Sequence, residues 1–150
     1  MSTQDTDLRQ AITKRFLEIL WHDSKLIDYQ IIAQSNSHFS TVTLSLELRS
    51  DLHILKNGSQ FVSARLSFQD SRCIRIEMDF VSKSVCSDDI FEASCEENSE
   101  WKHQISREQG GDDGHPSFSL KEMLHFKIHL CTPGGDIDIL ARDFRLDILE

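Results

Sequence analysis

Apolar and polar residues alternate along several stretches of this chain, and that pattern sets the expected architecture. Near the start the spacing is different. Leu8, Ile12, Phe16 and Ile19 or Leu20 recur every three or four residues, one face of an amphipathic helix ending near Leu20. Arg9, Thr13, Lys14 and Glu18 would face away, and Asp5 and Asp7 suit the positive end of the helix dipole. A period of two then takes over, in Ile27, Tyr29 and Ile31, and next in Val42, Leu44, Leu46 and Leu48. Asn57-Gly58 marks a turn, since Asn-Gly tolerates positive φ. Val62, Ala64, Leu66 and Phe68 predict a third strand, and Ile74, Ile76, Met78 and Phe80 a fourth. Polar residues on the opposite faces imply an antiparallel sheet wet on one side.

The C-terminal end carries the plainest signal. Leu124, Phe126, Ile128 and Leu130 alternate with His125, Lys127, His129 and Cys131. Pro133, Gly134 and Gly135 offer a reversal, and Phe144, Leu146 and Ile148 supply a returning run. The reading is a terminal hairpin whose His and Lys side chains face solvent. Together these elements predict an α+β, mostly β fold. It would be a single curved antiparallel sheet, a meander or half-barrel, with one N-terminal amphipathic helix packed on it.

Between residues 82 and 117 the alternation is lost, and only Ile90, Phe91, Trp101 and Ile105 are large and apolar. This segment is expected to be an acidic, partly flexible insert between strands, with room for a short strand or helix around Glu100 to Ile105. The 150 residues otherwise suit a single domain spanning 1–150.

Charge sharpens the picture. The net charge is −9. Nine acids against two bases between Ser87 and Asp113 account for seven of those charges. Such a chain is not expected to bind nucleic acid, which demands clustered Lys and Arg. Apolar runs are far shorter than the roughly 20 residues of a membrane span. The polar, acidic N-terminus is unlike a secretory signal, so the expectation is a cytoplasmic protein with reduced thiols at Cys73, Cys86, Cys95 and Cys131. A Cys86–Cys95 loop disulfide is the alternative for an exported protein.

Candidate chemistry is sparse. Trp21-His22-Asp23-Ser24 gathers triad residue types, but neighbours in an extended segment point apart, and no Gly-x-Ser-x-Gly elbow is present. Either Trp21 fills the core while Asp23 and Ser24 satisfy turn amides, or Trp21, His22 and Asp23 form an exposed binding corner. His129 and Cys131 stand about 7 Å apart on one strand face, within reach of a shared metal. Further ligands would have to come from another strand, with Cys73 or His53 as the only nearby candidates, and a solvent-facing row of His and Lys is the default, so neither a metal nor a cofactor is expected. Gly-rich phosphate loops and HExxH are absent from the sequence. The acidic segment offers Glu96, Glu97 and Glu100 around Trp101, a composition suited to docking a basic protein.

The helix followed by Trp21-His22-Asp23-Ser24-Lys25-Leu26-Ile27-Asp28-Tyr29-Gln30-Ile31 resembles small β-rich bacterial toxin-immunity-type proteins, with a softer likeness at Gly134 to Phe144. The long acidic insert departs from that pattern. The resemblance implies a non-catalytic protein that binds and neutralises an enzyme, and it transfers no catalytic residue. The expectation is therefore a non-catalytic interaction module, immunity-like, taking a basic protein partner on an acidic surface. The alternative is a binder of small apolar ligands, with Phe68, Met78, Phe80, Phe126 and Ile128 lining a cavity. Regular alternation also invites homodimerisation through an edge strand.

Overall fold

The computed structural model describes residues 3–33, 40–49, 61–78, 89–108, 120–131 and 135–149. The Asn57-Gly58 turn, the side chain of Met78, Phe80, Cys86, the glycine-rich run at 110–114 and Pro133-Gly134 lie outside them. The element order is α1 (Thr3–Leu17), β1 (Lys25–Ala33), β2 (Ser40–Arg49), β3 (Phe61–Ser71), β4 (Cys73–Met78), β5 (Ile90–Glu96), α2 (Glu100–Glu108), β6 (Leu124–Leu130), β7 (Gly135–Ala141) and β8 (Asp143–Leu149). A 3-10 turn at Leu120–Glu122 precedes β6. No helix among the described residues is long and apolar enough to cross a membrane.

The α+β, mostly β class stands, but the single sheet is replaced by two. Each is antiparallel with four strands, ordered β1-β2-β3-β8 and β4-β7-β6-β5. Two bent strands join them. β3 ends at Ser71 and β4 begins at Cys73, while β7 ends at Ala141 and β8 begins at Asp143. The chain thus changes sheet at Arg72 and again at Arg142. Asp70 bends the first corner with φ of 53°, and Ser71, buried, donates its hydroxyl to Phe68 O at 3.1 Å. Arg72 N donates to Leu140 O at 2.9 Å, so the two corners hold each other. Strands that switch sheets at bends are how steeply crossed sheets make their corners.

This geometry corrects the expected terminal hairpin. β6 turns back into β7, pairing Leu130 with Gly135 and Leu124 with Ala141. The run Phe144, Leu146 and Ile148 belongs to the other sheet, where Phe144 faces Phe68 and Ile148 faces Ala64 on β3. The main core lies between the sheets. Phe16 of α1 reaches rings of both, with centroids 6.3 Å from Phe68, 5.0 Å from Phe126 and 5.3 Å from Phe144. Offset and edge-on contacts at these separations favour aromatic packing beyond the area they bury.

Three further expectations are corrected. First, α1 ends at Leu17 and turns Ile12 and Phe16 inward as expected, but with Arg9 in place of Leu8. Arg9, Ile12 and Phe16 are buried, whereas Leu8 is 60% exposed. Arg9 tolerates this because its Nε donates to Glu97 Oε1 at 2.7 Å. Second, the described residues of the segment expected to be an acidic insert include β5 and α2, so a second α-helix joins α1 among the described residues. Ile90 of β5 is fully buried, and Ile105 of α2 packs with Leu120, Met123 and Leu140 in a second, smaller core. Third, that small core covers part of the outer face of the second sheet, so His125 is buried there rather than solvent-facing.

Candidate functional site

The two sheets also meet on the side opposite their bent strands, through the segment from Trp21 to Lys25. Asp23 N donates to Ile90 O at 3.0 Å, and Ile90 N donates to Ser24 O at 2.6 Å. A single antiparallel bridge, Lys25 to Asp89, continues this seam between β1 and the start of β5. Asp23 takes φ of 67°, a left-handed conformation that Asp and Asn accept better than most residues. Its carboxylate pairs with Arg49 at 2.9 Å. Ser24, fully buried, donates to Leu20 O at 2.6 Å and accepts from Arg49 N at 2.9 Å. Ser24 thus makes turn hydrogen bonds as foreseen, whereas the Asp23 carboxylate takes the Arg49 guanidinium rather than a turn amide.

Trp21 lies beneath this seam. It is buried, its indole N–H donates to Phe16 O at 2.8 Å, and its ring lies 4.8 Å from that of Phe16. It does not reach the surface. His22 and Asp23 do, with side chains 67% and 51% exposed. His22 Nδ1 bonds the carbonyl of Phe91 at 3.0 Å.

Phe91 is the centre of the exposed corner. It follows Ile90 at a β-bulge, which breaks the alternation and turns the ring outward. Its ring is 49% exposed and stands edge-on between two imidazoles, His22 and His129, each with a centroid 5.9 Å away. Leu17 and Leu20, 52% and 46% exposed, extend the apolar surface. With Ile19, Arg49 and Phe91 they line an open groove of about 370 Å³. Neighbouring Glu92 is exposed and has no ion-pair partner among the described residues.

From Phe91 the surface continues onto the outer face of the second sheet. A polar groove of about 250 Å³ lies there, lined by Arg75, Glu92, Lys127, His129, Asp136 and Asp138 among others. Apart from Glu92, its charges are engaged with one another or with near neighbours. His129 Nδ1 pairs with Asp136 across the β6–β7 register, and Lys127 lies 4.0 Å from Glu96. Asp138 accepts from His125 Nε2 at 2.7 Å and from Arg75 Nη2 at 3.1 Å. Burial alone would raise the Asp138 carboxyl, but the hydrogen bonds from His125 and Arg75, with their charges, outweigh it and hold the group below its usual range. Trp101 covers this pair, 4.8 Å from the His125 ring and 4.8 Å from the Arg75 guanidinium carbon.

A His–Asp pair can orient an imidazole for base catalysis. Here Asp138 takes Nε2, and the remaining nitrogen, Nδ1, is buried without a hydrogen-bond partner among the described residues. With His125 only 2% exposed under Trp101, a solvent-borne substrate cannot approach that nitrogen. The arrangement secures a buried carboxylate and offers no accessible nucleophile.

The acids singled out from the sequence do not form one bare cluster. Glu97 is paired with Arg9, Glu96 approaches Lys127, and Glu100 pairs with Arg107 at 3.0 Å within α2. Trp101 is half-buried against His125 and Arg75 rather than ringed by the glutamates. His129 is engaged by Asp136, and no group of three or more potential metal ligands converges among the described residues. Cys95 is a free thiol, buried beside Thr13, and burial pushes it up to about 11.

Two residues that matter here escaped the sequence reading. Lys102 is buried and its ammonium donates to Glu97 O and Met123 O, each at 2.9 Å, tying α2 to the chain before β6. Ser99 caps α2 by accepting from Lys102 N at 3.1 Å. The capping signal was present in Asn98-Ser99-Glu100, a Ser before an acidic first turn. Phe91 was noticed only as an apolar residue, and nothing in its neighbours marked it as exposed. No family model, curated protein or solved structure matches this chain.

Proposed function

We propose that this chain is a non-catalytic interaction module that docks a basic protein partner at the corner around Phe91. The carrying observation is a contiguous apolar surface, Leu17, Leu20 and Phe91, each about half exposed and rimmed by His22, Asp23, Arg49 and Glu92. An exposed aromatic anchor with a polar rim is the composition of interface hot spots. Phe91 sits on a strand and is braced on both sides by imidazoles, so little side-chain freedom is lost on binding. The net charge of −9 and the open carboxylate of Glu92 favour a partner rich in Lys and Arg, whose cations also suit the Phe91 face.

The resemblance drawn from Trp21 to Ile31 supports an immunity-like role, in which docking neutralises an enzyme. That stretch forms the seam itself, with Trp21 as its buried support and His22 and Asp23 at its surface. An apolar-ligand role draws less support. Phe68, Phe126 and Ile128 are at most 1% exposed, and the Phe68 and Phe126 rings touch at 5.0 Å.

Affinity capture from native lysate at low salt tests the proposal. Phe91→Ala and Glu92→Lys should each lose the captured partner. The combined change of Glu96, Glu97 and Glu100 to Gln should weaken capture only modestly, because those acids are already paired. Failure to retain any basic protein, or equal retention by Phe91→Ala, would overturn the reading.

A further inference from the structure

Phe91 stands between two side chains of the one type that changes charge near neutral pH. His22, on the segment before β1, and His129, on β6, each make a T-shaped contact with its ring at 5.9 Å. Their hydrogen bonds fix which nitrogen is open. His22 Nδ1 meets the carbonyl of Phe91 at 3.0 Å, a group that can only accept, so Nδ1 carries the proton. His129 Nδ1 donates in the same way to the Asp136 carboxylate. In both rings Nε2 is left as the basic nitrogen. Among the described residues both side chains reach water, His22 largely and His129 partly.

The charges around them decide what a proton does there. His22 Nε2 lies 3.6 Å from Asp23 Oδ1, on the carboxylate that also takes Arg49. Glu92 of β5 is the cross-strand neighbour of His129, and Asp136 of β7 flanks it on the other side. Three carboxylates, Asp23, Glu92 and Asp136, thus stand against one guanidinium, Arg49, among the described residues. Three negative charges and one positive leave a surplus that two protonated imidazoles cancel. The other charged groups nearby are opposed in pairs: Lys14 with Glu18 on α1, Lys127 with Glu96, and Arg75 with Asp138. Lys25 and Asp89 face each other in the bridge of the seam. Glu77 of β4, opposite Asp136, adds a carboxylate at the far end.

Given docking of a basic protein at this corner, as proposed above, we infer that His22 and His129 make the docking pH-dependent, holding the partner at neutral pH and releasing it as both rings take up protons. Two effects act together. Protonation cancels the negative rim that attracts Lys and Arg. Each imidazolium is also a cation within about 6 Å of the Phe91 ring, the range of cation–π attraction, and repels a partner's cation from that ring. The complex then binds fewer protons than the free chain. Affinity is therefore full above the range in which histidine titrates and is lost as pH falls through it. Acid unfolding lies lower, because the Asp138 carboxyl is held below its usual range and stays ionised there.

The full chain, immobilised, and the basic protein it retains at about pH 7.5 provide the test, with loss of retention in Phe91→Ala marking the corner. Binding of that protein should weaken about tenfold for each imidazole between about pH 7.5 and pH 5.5, the effect of one opposed proton per ring. Calorimetry near pH 6.5, in buffers of different ionisation enthalpy, should show protons released on binding. His22→Gln and His129→Gln keep an amide donor at each hydrogen bond but cannot titrate. Each should remove about half of the logarithmic pH response, and the double variant should be flat, whatever affinity it retains at neutral pH. Circular dichroism of the wild-type chain should be the same at both pH values. An affinity unchanged at pH 5.5, binding without proton release, loss of the fold by pH 5.5, or a full pH response in the double variant would overturn the inference and leave the docking standing. Retention of no basic protein at pH 7.5 would remove the docking itself, and the inference with it.

Discussion

At the scale of single residues, stability is concentrated in a few buried polar groups. Asp138 is the clearest. It is a buried carboxylate held by His125 and Arg75, and removing it leaves two donors without their acceptor. Asp138→Ala should cost about 3 kcal/mol, the lower end for breaking a buried pair because Arg75 is partly solvated, measured by urea unfolding at neutral pH. The pH dependence follows from the same contact. The folded carboxyl lies below its unfolded value, so its contribution is full above about pH 4 and is lost as pH falls through the depressed folded value. Asp138→Asn should flatten that acid limb, and urea midpoints at a series of acidic pH values will show it. Lys102→Met should cost about 2 kcal/mol or more, because it leaves buried carbonyls without their charged donor. Phe16→Ala should cost roughly 3–5 kcal/mol, since that ring spans both sheets and cannot be replaced by local collapse.

At the scale of elements, what could be read from sequence depended on how many faces each strand buries. β2, β3 and β6 gave strong alternation because one face meets the main core. Val42, Leu44 and Leu46, then Ala64, Leu66 and Phe68, and then Phe126 and Ile128 are buried as that period requires. β7 is buried on both faces from Ile137 to Ala141, with Leu140 turned to the small core under α2. It reads as a continuous apolar run broken by Asp138, so the returning strand of the hairpin was assigned to Phe144 instead. β5 was missed for a different reason. Its bulge and its small residues Ala93 and Ser94 erase the period, and its glutamates drew attention as charge rather than as the exposed side of a strand. α2 was foreseen only as a short segment, although its cap and the Trp101–Ile105 spacing were legible. Ser99→Ala should cost about 1 kcal/mol and fray α2 first, seen as faster amide exchange at Trp101 to His103.

The candidate site was half legible by the same logic. His22 and Asp23 were singled out from residue type alone and stand at the exposed corner. Trp21, the most conspicuous of the three, is the buried support for it. Phe91 could not be assigned a role before β5 was known to be a strand, because its exposure is created by the bulge and by the two imidazoles that flank it. Glu96 and Glu97 looked open because their partners, Lys127 and Arg9, come from distant parts of the chain.

At the scale of the whole molecule, two sheets share bent strands on one side and meet through one short seam on the other. The seam brings Trp21 to Ser24 against Ile90 and so creates the Phe91 corner. Beyond it β5 is covered by α1. Net charge of −9 opposes non-specific association of such a molecule. The most direct test is site-specific photo-crosslinking in the cells that make the protein, with a benzophenone side chain placed at position 91 or at position 100. Irradiation is predicted to give a dominant adduct with one basic protein from position 91 and little from position 100. Adducts from position 100 with none from position 91 would contradict the account.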